Sequence, residues 1–106
     1  MTGHPLAVFM QHDPQLMELV NQSRELTFVD GALSKKHKLL IALALDAAHG
    51  AVNGVRSLAQ QALAAGATKA EILEAVHVTH YVSGVGSVYT SAQGLQDVFA
   101  TEPDSR

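Results

Sequence analysis

Apolar residues recur three and four places apart along most of this chain, from Leu16 to Phe99, and no run of β-branched residues alternates between hairpin turns. That periodicity belongs to helices with one face turned inward, so an all-α domain of about five helices is expected. The first predicted helix opens at Asp13-Pro14, where the aspartate can accept from free backbone amides and a proline at the first helical position forfeits no bond. Leu16, Leu19 and Val20 mark its face, and it runs to about Leu26. After the connection "FVDGALS", Ser34 is placed to cap a second helix from Lys35 to His49, and Gly50 stands where a left-handed closing residue is wanted. A third helix covers Val52 to Ala65 and stops at Gly66, with Val55, Leu58, Ala59, Ala62 and Leu63 on its inner stripe.

Thr68-Lys69-Ala70-Glu71 has the form of a capping box, so a fourth helix starts near Lys69 and continues to about Ser83. Ile72, Ala75, Val76 and Val78 are its expected core residues. Gly84 and Gly86 interrupt the pattern, and Val85, Val88, Ala92, Leu95 and Phe99 then repeat at helical spacing and predict a fifth helix. Residues 1–12 read as an N-terminal arm and the polar stretch 101–106 as a tail that frays, leaving residues 1–106 a single domain.

The second helix breaks the amphipathic rule. Leu39, Leu40, Ile41, Ala42, Leu43, Ala44, Leu45, Ala47 and Ala48 cover its whole circumference, and a helix apolar all round must be buried all round. A small domain cannot easily surround one of its own helices, so a homo-oligomer whose subunits supply the missing cover is expected. The competing explanation is that the alanine-rich side is half exposed, as scattered apolar surface often is.

Composition narrows the functional classes. With 47% hydrophobic and 16% charged residues the chain can build a core, and a formal charge of −3 gives no footprint for nucleic acid. Its only basic run, Lys35-Lys36-His37-Lys38, sits in a first helical turn. The apolar run Leu39 to Ala48 contains Asp46 and is too short to cross a bilayer, which needs about 20 residues. The opening residues lack the charged and apolar regions of a secretory signal, so a cytoplasmic location is the expectation. There is no cysteine, which removes disulfide scaffolds, thiolate metal sites and every thiol redox mechanism.

Six histidines remain, three of them inside apolar helices: His49, His77 and His80. His4, His12 and His37 lie in the arm or at a helix end and read as solvated polarity. Asp46 and His49 are three apart, close enough for the carboxylate to hydrogen-bond the imidazole and fix its tautomer. Alternatively Asp46 faces solvent or a neighbouring helix start, and His49 interacts with the carbonyl end of its own helix. His77 and His80 have the same spacing, and Tyr81 lies one turn beyond His77, so two imidazoles and a phenol can share a stripe, with Tyr89 nearby. Such a pair can bind a divalent metal given a third ligand, for which Asp46, His49 and Glu74 are the candidates. Without a metal it can act as acid and base on a small organic acid, no cofactor being required. The bland alternative is an imidazole network across a subunit interface. Gly84, Gly86, Gly94 and Ser87 form a small-residue edge suited to close helix packing or a kink, not to binding a dinucleotide, since no strand precedes them.

The stretch "LSKKHKLLIALALDAAHGAVNGVRSLAQQALAAGATKAEILEAV", Leu33 to Val76, resembles the carboxymuconolactone decarboxylase and alkyl hydroperoxidase D family, less clearly continued by "YVSGVGSVYTSAQGL", Tyr81 to Leu95. The resemblance rests on "L-S-x-x-x-x-L-I-A-L-A", a glycine before the third helix, and "A-x-x-A-G-A-T-x-x-E-I-L-E-A". It implies an alkyl hydroperoxidase D-like helical subunit in a ring-like trimer or hexamer. The peroxidase branch uses a Cys-x-x-Cys pair, a histidine and a glutamate, and the matching places here hold Ala51, Gly54, Leu58 and Leu39. None can carry thiolate chemistry, so that activity is not expected. Two classes stay open: a decarboxylase-type enzyme working by acid-base chemistry on a small carboxylate, with His77, His80, Tyr81, His49 and Asp46 as candidate catalytic residues, or a non-catalytic oligomer that binds a ligand, metal or partner.

Overall fold

The computed structural model describes residues 5–101, which form six helices and no strand: α1 (Ala7–His12), α2 (Pro14–Thr27), α3 (Lys35–Ala48), α4 (Val52–Ala64), α5 (Lys69–Ser83) and α6 (Gly86–Thr101). The count exceeds the expected five because α1 occupies part of the arm. At six residues it is too short to show a period. His4 and the tail beyond residue 101, with the expectation that it frays, lie outside the described residues.

The helix starts follow their caps. Asp13 accepts from the Leu16 amide at 3.2 Å and Ser34 from the His37 amide at 3.1 Å. At α5 the box is complete: the Glu71 amide donates to Thr68 Oγ1 at 3.1 Å, and the Thr68 amide donates to Glu71 Oε1 at 3.0 Å. Gly50, Gly66 and Gly84 follow α3, α4 and α5 at φ of +79°, +100° and +87°, a region that strains residues with a Cβ. His49 is thus the capping residue after α3 and not its last helical residue.

Helices α3 to α6 enclose the core, built from Leu43 and Ala47 of α3, Val55 and Ala59 of α4, Ile72 and Val76 of α5, and Leu95 and Val98 of α6. Leu39 of α3 and Ala62 of α4 extend it beside Ala67. Thr79, also buried, donates to the Ala75 carbonyl at 3.0 Å and approaches the Ala44 carbonyl at 3.3 Å, joining α5 to α3 without stranding its hydroxyl. It takes the inward place expected of Val78, which is exposed. The inner stripe of α4 is as expected at Val55, Ala59 and Ala62, with Leu58 and Leu63 packed against the core from its edge.

The rotation of α6 differs from the apolar reading. Ser87, Ser91, Gly94, Leu95 and Val98 point inward, whereas Val85, Val88 and Ala92 point out. The reason is the closeness of α4 and α6: a Cβ on Gly94 would stand 2.7 Å from Val55 Cγ1 and 3.0 Å from the Val52 carbonyl oxygen. No valine fits at such an approach. The serines can lie in the seam because their hydroxyls bond backward, Ser91 Oγ to the Ser87 carbonyl at 2.8 Å and Ser87 Oγ to the Gly84 carbonyl at 2.7 Å.

Two surfaces stay uncovered. On α3 only Leu39, Leu43 and Ala47 are buried, while Ile41 and Leu45 are 49% and 55% exposed, so a single chain does not bury this helix all round. The hairpin of α1 and α2 packs on itself with slight contact to the other helices. Of the α2 face read from the sequence, Leu16 and Leu19 are exposed, and Met17 is the buried residue.

The α4–α6 approach predicts that Gly94→Ala destabilises the protein. Overpacking costs about 1–3 kcal/mol and outweighs the helix-propensity gain of at most about 1 kcal/mol. Gly86→Ala, where a Cβ meets nothing within 4 Å, should be neutral or mildly stabilising in the same urea titration.

Glu71 gives a second expectation. The Thr68 amide and then Lys36, whose Nζ donates to Glu71 Oε2 at 3.0 Å, hold its carboxyl below the usual 4.5. A group that binds its proton less tightly when folded stabilises the fold fully above the unfolded pKa and loses that contribution as pH falls through the folded value. The melting temperature should therefore decline below about pH 4.5, and Glu71→Gln should flatten that decline.

Candidate functional site

The outward turn of α6 brings its first residues beside the exposed end of α5. Between them lies an open groove of about 490 Å³ lined by Leu73, Val76, His77 and His80 of α5, Val85 of the connecting corner and Val88 of α6. His77 and His80 follow one another around the same helix face, as their spacing predicts. Four aliphatic side chains wall the groove, and the two imidazoles are its polar groups.

The remaining candidates are elsewhere. Tyr81, 89% exposed, projects from α5 without lining the groove, and Tyr89 is exposed on α6. His49 is exposed at the end of α3, and no hydrogen bond joins it to Asp46 among the described residues. Asp46 is half-buried and leans over the first turn of α4, where a Cβ on Gly54 would collide with its carboxylate. The positive end of the α4 dipole is there, and Ala51 gives that helix no side-chain cap. Of the alternatives for Asp46, this geometry corresponds to a neighbouring helix start.

The places matched to the peroxidase residues are also filled. Leu39 is fully buried, Leu58 half-buried, and Gly54 lies under Asp46 while Ala51 precedes α4. The chain has no thiol to stand at any of these places.

No three histidine, aspartate or glutamate side chains converge on one point among the described residues. A divalent ion on His77 and His80 would take further ligands from water or a second subunit. The imidazoles can donate and accept hydrogen bonds at neighbouring points on one apolar wall, which suits a small molecule with a carbonyl or carboxylate end. The sequence pattern read Val85 and Val88 only as part of the apolar repeat of a fifth helix, not as groove wall. Ser87, Ser91 and Gly94, small residues at helical spacing, carry the signal that corrects it.

No helix among the described residues is long and apolar enough to cross a membrane. Residues 14–97 match the model of the carboxymuconolactone decarboxylase family. No curated protein matches the chain. Among solved structures the chain is similar to the crystal structure of an apo carboxymuconolactone decarboxylase family protein from Legionella pneumophila, with 32% identity and a TM-score of 0.83. That likeness covers 90% of this chain and 85% of the Legionella chain.

Proposed function

The chain belongs to the carboxymuconolactone decarboxylase family, and from that premise we propose that it performs acid-base chemistry on a small organic acid in the groove of His77 and His80. The observation that carries the reading is the placement of two imidazoles on one wall of an otherwise aliphatic groove. A carboxylate held against Leu73, Val76, Val85 and Val88 loses part of its hydration, which favours its departure as neutral carbon dioxide. In that step the bond between the carboxylate carbon and its neighbour breaks, and the electron pair stays on the neighbour, spread into an adjacent carbonyl. One imidazole N–H donates to that carbonyl oxygen, and the other, as imidazolium, delivers the proton that replaces the carboxylate. No cofactor is needed for this balance.

The reading takes the protein to be cytoplasmic and without thiol peroxidase activity. The second part is supported by the absence of any cysteine to form a sulfenate or disulfide. It also takes the protein to be a homo-oligomer, a trimer or hexamer, supported by the exposure of Ile41, Leu45, Val78 and Val82. Asp46, His49 and Tyr81 enter the reaction only if assembly brings them to a groove.

The test is decarboxylation of a carboxymuconolactone and a panel of small carboxylic acids, followed by carbon dioxide release, in the unaltered protein and in His77→Gln and His80→Gln. Each substitution should lower turnover by about 10²–10⁴-fold, the usual worth of a positioned acid or base. Helicity should be unchanged, because both rings are exposed in the folded chain. Turnover that survives the double substitution contradicts the site, and carboxylate binding without turnover in the unaltered protein favours the ligand-binding alternative. Peroxide consumption coupled to a dithiol should not exceed a buffer blank.

A further inference from the structure

We propose that the groove of His77 and His80 selects a monocarboxylic acid, a 3-oxo acid with an alkyl body, and discriminates against dicarboxylates. The inference rests on the reading above that this groove holds a small organic acid, and it concerns which acids the groove accepts.

Charge decides first. The two helices that supply most of the wall, α5 and α6, carry a single lysine and no arginine. That lysine, Lys69, stands one turn before Leu73 and is drawn over the Phe99 ring, 5.4 Å from its centre. Elsewhere Lys36 is held on Glu71, Lys38 on the Val29 carbonyl and Arg56 on Asn53. No lysine or arginine lines the groove, so among its lining residues the two imidazoles alone can meet a negative charge. They can serve one carboxylate. A second would rest against Leu73, Val76, Val85 and Val88, where it loses water without gaining a hydrogen bond. Glu74 adds to this bias: it is exposed, and three positions before His77 it is that ring's neighbour on the α5 surface, so its negative charge stands at the rim.

Shape and reaction decide the rest. The walls are aliphatic, and neither Tyr81 nor Tyr89 lines the groove, so the body of the acid is held by alkyl contact and not by stacking. The volume of about 490 Å³ leaves room for an alkyl chain beside the acid head. Carbon dioxide leaves readily when the electron pair it abandons can move into a carbonyl, and a 3-oxo group supplies that carbonyl within the substrate. The bond between C1 and C2 breaks, and the pair enters the 3-oxo group as an enolate whose oxygen accepts from one imidazole N–H. The other ring, as imidazolium, gives its proton to C2, and solvent returns a proton to the ring. The acid becomes carbon dioxide and a methyl ketone.

The test reads binding separately from turnover. 3-Hydroxyhexanoate and 3-hydroxyhexanedioate lack the 3-oxo group and differ only in the second carboxylate. Each is titrated into the full-length protein carrying isotope-labelled valine and leucine methyls. The monoacid should shift the Val85 and Val88 signals and bind more tightly than the diacid by about tenfold or more. Val88→Lys, with Val85→Lys as a second variant, places an ammonium on the wall and should abolish that preference, with helicity unchanged because both positions are exposed. In turnover, 3-oxohexanoate should release carbon dioxide above its rate in buffer, faster than carboxymuconolactone, a diacid. A diacid that binds the unaltered protein as tightly as the monoacid overturns the selection, as does a titration in which neither acid shifts the valine methyls or a preference that survives in both lysine variants. Monoacid preference without release of carbon dioxide supports the selection and contradicts the acid-base reading alone. Faster release from the diacid supports the acid-base reading and overturns the selection.

Discussion

The close approach of α4 and α6 at Gly94 governs the architecture. With Val55 Cγ1 and the Val52 carbonyl where a Cβ would have to go, only a glycine face of α6 can meet α4. Fixing that contact fixes the rotation of α6, and the rotation decides which residues reach the core. Leu95 and Val98 fill it, Ser87 and Ser91 line the seam with hydroxyls bonded to their own helix, and Val85, Val88 and Tyr89 are left outside. Hydrophobic burial alone favours the opposite choice, since a valine loses more apolar surface to the core than a serine. The choice made here trades that area for contact between backbones, where dispersion acts over many atom pairs at short range.

The candidate site follows from the same rotation. Val85 and Val88, displaced from the core, become one side of the groove whose other side carries His77 and His80. Thr79, which lies between the two histidines in sequence, faces inward and bonds to α5 and α3, so the histidines on either side of it face out. Neither imidazole needs a buried hydrogen-bond partner to offset its desolvation, and both can meet a molecule from solution.

Much of this was legible in the sequence because it depends on local chemistry. Asp13, Ser34 and the Thr68–Glu71 box mark helix starts through bonds between neighbouring residues, and Gly50 and Gly66 mark ends through backbone freedom. The pairing of His77 with His80 is a property of helical spacing. The face of α6 was hidden because its phase is set by a helix more than thirty residues away, and apolar periodicity selected Val85 and Val88. Asp46 was ambiguous for a related reason: its spacing from His49 is local, but its contact is with Gly54 on the next helix. The openness of α3 was visible as excess apolarity, and Ile41 and Leu45 are indeed exposed.

The most direct measurement of the central claim is a nuclear Overhauser spectrum of the unaltered protein with labelled valine and leucine methyls and glycine α-protons. The account predicts a strong cross-peak between the Gly94 α-protons and the Val55 methyls, with Val88 showing none to Val55 or Leu43. Cross-peaks from Val88 to those core methyls, with Gly94 silent, would show α6 turned the other way and would remove the groove wall on which the site depends.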